Sequence, residues 1–97
     1  MKTKVYISLP ITGQDLETAK LKADIAKKKM QIKGRDAVTP FDVCPYAGKS
    51  YAWYMGQDLE ALLECDAIYM CRGWLRSKGC RLELAAAIIY GKKVFFE

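Results

Sequence analysis

Val5-Tyr6-Ile7-Ser8-Leu9-Pro10-Ile11-Thr12-Gly13 decides how the chain is built. Val5 to Ser8 is a short β-favouring run that Leu9-Pro10 stops, so it reads as a first, central strand. Ile11-Thr12-Gly13 turns the chain, and beyond it the apolar spacing changes to three and four. Thr12, with Asp15 three residues later, has the form of a capping box. Ala19, Ala23, Ala26 and Met30 then mark one face of a helix, with Leu21, Ile25 and Ile32 beside it and Gly34 as C-cap.

Outward from there the pattern repeats. Ala37-Val38-Thr39 before Pro40 is a brief second strand, and Phe41 to Lys49, with Pro45 and Gly48, has loop composition. Ser50 opens a second helix, whose apolar face is Ala52, Met55, Leu59, Leu62 and Leu63, while Tyr51, Tyr54 and Asp58 share another. Asp66 to Met70 is a third strand. A last helix runs from about Gly79 to Tyr90, Gly91 caps it, and Val94-Phe95-Phe96 closes the set.

Strands alternating with helices predict an α/β fold of three layers, with right-handed crossovers. The expected sheet is mostly parallel, four- to five-stranded and flavodoxin- or Rossmann-like, with strand order 2-1-3-4, in one domain over residues 1–97. Ligands of such folds sit at the carboxyl ends of the strands. Here those ends carry Ser8-Leu9-Pro10, Pro40-Phe41-Asp42 and Cys71-Arg72-Gly73-Trp74, beside the start of the last helix.

Composition narrows the chemistry. With 97 residues, 52% of them apolar, the chain has enough for one core and too little for two. Nothing approaches a membrane span and no signal-peptide pattern opens the chain, so a soluble cytoplasmic protein is expected. The four cysteines form no C-x-x-C pair and there is no histidine, which argues against a metal centre and for free thiols. Without histidine, proton transfer near neutral pH falls to carboxylates first. The net charge of +5 owes much to Lys20, Lys22, Lys27, Lys28, Lys29 and Lys33 on one helix. That is read as a solvated face, so no nucleic-acid partner is expected.

The chemistry-bearing stretch is Ser77-Lys78-Gly79-Cys80-Arg81-Leu82-Glu83-Leu84-Ala85-Ala86-Ala87. A serine and a glycine before a helix leave backbone N–H groups free to seat an anion, and Arg72, Arg76, Lys78 and Arg81 surround them with positive charge. Glu83 follows one turn in, flanked by apolar residues that would strip its water. As a plain alternative, Glu83 is a first-turn acid favoured by the helix dipole. On this stretch alone the two stand even.

Other candidates carry the same ambiguity. Asp58 reads first as a solvated helix acid, and Asp66 as a turn residue. Tyr6 is either core or, on a sheet edge facing the crevice, a hydroxyl that holds a carboxylate. Trp53 and Trp74 are hydrophobic anchors or, at a strand end, stacking platforms for a base. Cys80 near a helix N-terminus rivals Glu83 as nucleophile but lacks a histidine base.

Together these pieces resemble the nucleoside 2-deoxyribosyltransferase superfamily, more closely its small DUF4406 branch, and are also similar to nucleoside 5′-monophosphate N-glycosidases. The signatures are Tyr6-Ile7-Ser8-Leu9-Pro10, Asp58-Leu59 through Cys65-Asp66, and Ser77, Gly79, Glu83, Ala85 and Ala87. The resemblance implies Glu83 as nucleophile on C1′ of the sugar, Asp58 as the acid that protonates the departing base, and Tyr6 as the residue that orients Glu83. Ser8, Pro10, Thr12, Trp74, Ser77 and Gly79 would then hold the substrate. No metal or organic cofactor is implied. Serine at position 77, where free-nucleoside transferases often carry aspartate, favours a nucleotide over a nucleoside. The resemblance also implies a homodimer or higher homo-oligomer, with a partner's Phe41 to Tyr54 segment completing the site. Leu9 stands where the family has glycine, which motivates the rival reading of a non-catalytic protein that binds or sequesters a nucleotide or nucleotide signal. A third reading is an assembly protein that uses its basic helix on an acidic partner.

Overall fold

The computed structural model describes residues 2–44 and 46–97. Pro45, assigned to a loop above, lies outside the described residues. Four strands, β1 (Lys4–Ser8), β2 (Asp36–Val38), β3 (Ala67–Met70) and β4 (Lys93–Phe96), form one parallel sheet in the order β2-β1-β3-β4. This is the predicted α/β architecture and strand order, with four strands rather than five. Tyr6 sits opposite Val38 on one side and Ile68 on the other, so it is in the sheet's interior and not at an edge.

Helix α1 (Leu16–Ile32) buries the four residues that the spacing picked out, Ala19, Ala23, Ala26 and Met30. Three of them are alanines, so the helix comes close to the sheet, and Leu21, Ile25 and Ile32 at its flanks stay exposed. Its cap is Asp15 and not Thr12. The Asp15 carboxylate accepts the Thr18 N–H at 3.0 Å and the Thr18 hydroxyl at 2.7 Å, while Thr12 stays outside in the turn that the Gln14 N–H to Ile11 carbonyl bond closes.

The segment after β2 also departs from the loop expected there. Thr39 and Asp42 form a reciprocal capping box around α2 (Pro40–Val43), with Pro40 in the first turn, where its missing N–H costs nothing. Lys27 of α1 pairs with Asp42 at 2.8 Å and joins the two helices. Helix α3 (Tyr51–Leu63) starts at Ser50 as expected, with the serine oxygen accepting the Trp53 N–H.

Pleating divides the core in two. Val5 and Ile7 of β1, and Leu9 just after it, point to the α1 side, where they join Ala67, Tyr69 and Cys71. Tyr6 points to the other side with Ile68 and Met70, under α3 and α4 (Lys78–Ile89). Between β3 and α4 the chain makes a single 3₁₀ turn at Trp74–Arg76, entered through Gly73. Gly73 has φ +92°, and an added Cβ would lie 3.4 Å from the Pro10 ring, so glycine lets this turn lie beside the β1 loop.

Candidate active site

Helix α4 begins where the sequence offers a cap. The Ser77 oxygen accepts the Cys80 N–H at 3.2 Å, which leaves the serine's own hydrogen free to donate. From that start the helix carries Glu83 inward over the carboxyl end of β1. Glu83 is only 4% exposed, and both of its oxygens are engaged. Tyr6 donates its hydroxyl to Oε2 at 2.8 Å and Ser8 donates to Oε1 at 2.7 Å. These short bonds span more than seventy residues of sequence, and they bind the last helix to the first strand.

Asp58 approaches from α3. Tyr51, Tyr54 and Asp58 form one helical stripe, and all three line the same cavity as Glu83. Asp58 is buried rather than solvated, and its Oδ1 has no hydrogen-bond partner. A neutral carboxyl tolerates such a position much better than a carboxylate does. Removal from water pushes Asp58 up to about 6, and the Tyr6 hydroxyl partly offsets this. The same burial pushes Glu83 up to about 7 against the lowering effect of its Ser8 and Tyr6 hydrogen bonds, and the negative charge of Asp58 adds to the rise. Burial, then the charges of Glu83 and Asp58, hold the Tyr6 phenol well above its usual range, so it remains a donor.

Two acids facing one phenol lose their protons as a pair. Between the two values the pair keeps a single proton. The higher value of Glu83 argues for that proton on Glu83, whereas the two hydroxyl donors to Glu83 and the unpartnered oxygen of Asp58 argue for Asp58. The two arrangements exchange one proton, and attack by Glu83 uses the second. One acid and one base therefore open on the same space.

That space is a cavity of about 1330 Å³ at the carboxyl ends of the strands. Pro10, Thr12, Ser77, Gly79, Asp58 and Glu83 line it, and Arg72, Arg76 and Lys78 give its rim positive charge. Two of the expected substrate contacts lie elsewhere. Ser8 is fully buried behind Glu83, and Trp74 is half-buried against the α3/α4-side core, with its ring centroid 5.6 Å from that of Phe96.

The chain's own Phe41, Cys44, Tyr46 and Tyr51 line one wall of the cavity. Leu9 borders the same cavity as Glu83, but it is 5% exposed there. The strand's alternation turns its side chain into the α1-side core, opposite the face where Tyr6 meets Glu83. Cys80 is 1% exposed, and burial, only partly offset by hydrogen bonds to Ser77 and Ser8, raises its thiol, so it is a poor nucleophile. Among the described residues no cluster of His, Cys, Asp or Glu could hold a metal ion, and no helix is long and apolar enough to cross a membrane.

Gly79 has a packing reason of its own. A Cβ there would lie 3.2 Å from the Tyr51 hydroxyl and 3.4 Å from the Met55 sulfur, so glycine lets α3 lean on the start of α4. Sequence reasoning missed Glu97. Its carboxylate accepts the Arg72 N–H at 2.7 Å and joins the cavity rim, a contact across twenty-five residues that no local signal announces.

The same architecture recurs in solved structures. The CMP N-glycosidase BcmB from Clostridium botulinum superimposes with a TM-score of 0.68 at 21% identity, covering 97% of this chain and 70% of that one. A 2-desoxiribosyltransferase from Leishmania mexicana gives 0.69 at 22% identity, covering 97% of this chain and 63% of that enzyme. At such identity the likeness is one of fold. No curated protein matches the sequence. A family model does match, over residues 3–96, and the chain accordingly belongs to the family described as "Domain of unknown function (DUF4406)".

Proposed function

We propose that this protein cleaves or exchanges the N-glycosidic bond of a (deoxy)nucleoside 5′-monophosphate or nucleoside. The observation that carries the reading is the buried Glu83, gripped by Tyr6 and Ser8 and sharing its cavity with an Asp58 that has an unpartnered oxygen. Similarity in fold to a nucleotide N-glycosidase and a deoxyribosyltransferase supports the same class of reaction.

The carboxylate of Glu83 attacks C1′ as the bond to the base nitrogen breaks, and the electron pair leaves with the base. Asp58 supplies the proton that the base nitrogen needs. The oxocarbenium-like transition state is stabilised by the negative charge beside it. In the second half, water or another base displaces Glu83 from C1′, and Asp58 takes up the proton released. Tyr6 orients Glu83 throughout. The Ser77 hydroxyl, the free N–H groups at the start of α4 and the Arg72, Arg76 and Lys78 charges suit a 5′-phosphate, while Pro10 and Thr12 flank the sugar. These steps call for no cofactor. Self-association belongs to the same proposal, although this chain's own α2–α3 segment already walls the cavity.

The test is release of free base from a panel of nucleosides, deoxynucleosides and their 5′-monophosphates. Wild type is expected to release base, preferring monophosphates, and Glu83→Ala to release none. Tight binding with every ligand recovered intact would overturn the enzyme reading in favour of a binding module.

A further inference from the structure

The resemblance casts Ser8 as a substrate contact, yet its hydroxyl never reaches the cavity. Ser8 is 0% exposed, and its hydroxyl donates to Glu83 Oε1 at 2.7 Å. Tyr6 and Ser8 stand two residues apart on one pleat face of an interior strand. The long phenol, one step further from the strand's end, and the short hydroxyl near the rim therefore converge on the two oxygens of one carboxylate. The backbone beneath Ser8 is fixed too: it lies opposite Met70 in β3, and its carbonyl accepts the Cys71 N–H at 2.8 Å.

We infer that Ser8 is a positioning residue, a second clamp that works with Tyr6 to hold both oxygens of Glu83 and fix the carboxylate in one orientation toward the cavity. The role as reaction positioner rests on Glu83 being the reacting group, as proposed above; the clamp itself does not. Charge-assisted hydroxyl bonds of this length are among the stronger hydrogen bonds in proteins, and losing one disfavours the ionised form. The groups that face Glu83 are Tyr6 from β1, Asp58 from α3 and Cys80 from its own helix, and Ser8 also contacts the Cys80 thiol.

The experiment compares wild type, Ser8→Ala, Ser8→Thr and Tyr6→Phe by carbon-13 NMR titration of the Glu83 carboxyl, with the signal assigned by its loss in Glu83→Gln. Ser8→Ala should raise the Glu83 midpoint by about one pH unit, Tyr6→Phe should act in the same direction, and Ser8→Thr, which keeps the hydroxyl, should restore the wild-type midpoint. On a turned-over substrate, Ser8→Ala should lower kcat about tenfold or more with KM within about twofold, and move the acidic limb of the pH profile upward. An unmoved midpoint in Ser8→Ala, in a protein that melts as a folded domain, would overturn the clamp. If wild type releases no base, the glycosidic reading fails by itself, and the titration still decides what Ser8 does.

Discussion

The two faces of the sheet contrast in what they bury. On the α1 side, Val5, Ile7, Leu9, Ala19, Ala23, Ala26 and Met30 make a buried apolar layer. On the α3/α4 side, Tyr6, Ser8, Asp58 and Glu83 are taken out of water together, at a cost that an apolar core would not bear. One strand serves both, with odd-numbered residues facing the first layer and even-numbered residues the second. The difference teaches that the α1 face holds the fold while the opposite face gives up stability to keep two acids near neutrality, as functional sites commonly do.

Substitutions that touch one face only can break that comparison. Asp58→Asn should slow base release on the order of a hundred- to ten-thousandfold while changing the melting temperature little, as steady-state kinetics and thermal melts would measure. Met30→Ala, on the other face, should cost about 2–5 kcal/mol in denaturant unfolding and leave kcat within about threefold. If Met30→Ala were as damaging to turnover as Asp58→Asn, the division of labour between the faces would be lost.

Stability against pH sharpens it further. Glu83 is raised from its ordinary 4.5 to about 7 by burial. The folded protein thus keeps a proton that the unfolded chain releases, so the Glu83 contribution is largest below about pH 4.5 and is lost as pH rises through 7, by about 3 kcal/mol in all, while Asp15 and Asp42, held below their ordinary value, act in the opposite direction at lower pH. Asp58 contributes in the same direction as Glu83 between its ordinary 3.8 and about 6. Urea unfolding of Glu83→Gln from pH 5 to pH 8 should therefore show a shallower decline than wild type, and greater stability at pH 8. The smallest effect is expected at Ser77→Ala, where loss of the α4 cap should cost about 1 kcal/mol in the same assay and weaken monophosphates more than nucleosides.

Much of the frame was legible in the sequence, because short β-branched runs, alanine spacing and the Ser50 and Gly34 boundaries all act locally. The misassigned places were those where two local signals competed. Asp15 outranks Thr12 as a cap because its oxygens reach Thr18, and the capping pair Thr39 and Asp42 folds a turn of helix where Pro45 and Gly48 had weighed toward loop. At the site, Glu83 and its partner Tyr6 were legible through their motif. Asp58 looked solvated, because helical spacing separates faces of α3 without saying which of them meets the cavity. The hydroxyl of Ser8 and the carboxylate of Glu97 act through contacts that only the assembled sheet creates.

The central claim is that a single proton shared by Asp58 and Glu83 governs turnover, and the pH dependence of base release tests it most directly. A bell-shaped profile with its maximum between about pH 6 and 7, absent in Glu83→Gln, is the result predicted from the two raised acids. A rate that stays level from pH 5 to 8, or that survives Glu83→Gln, would contradict it.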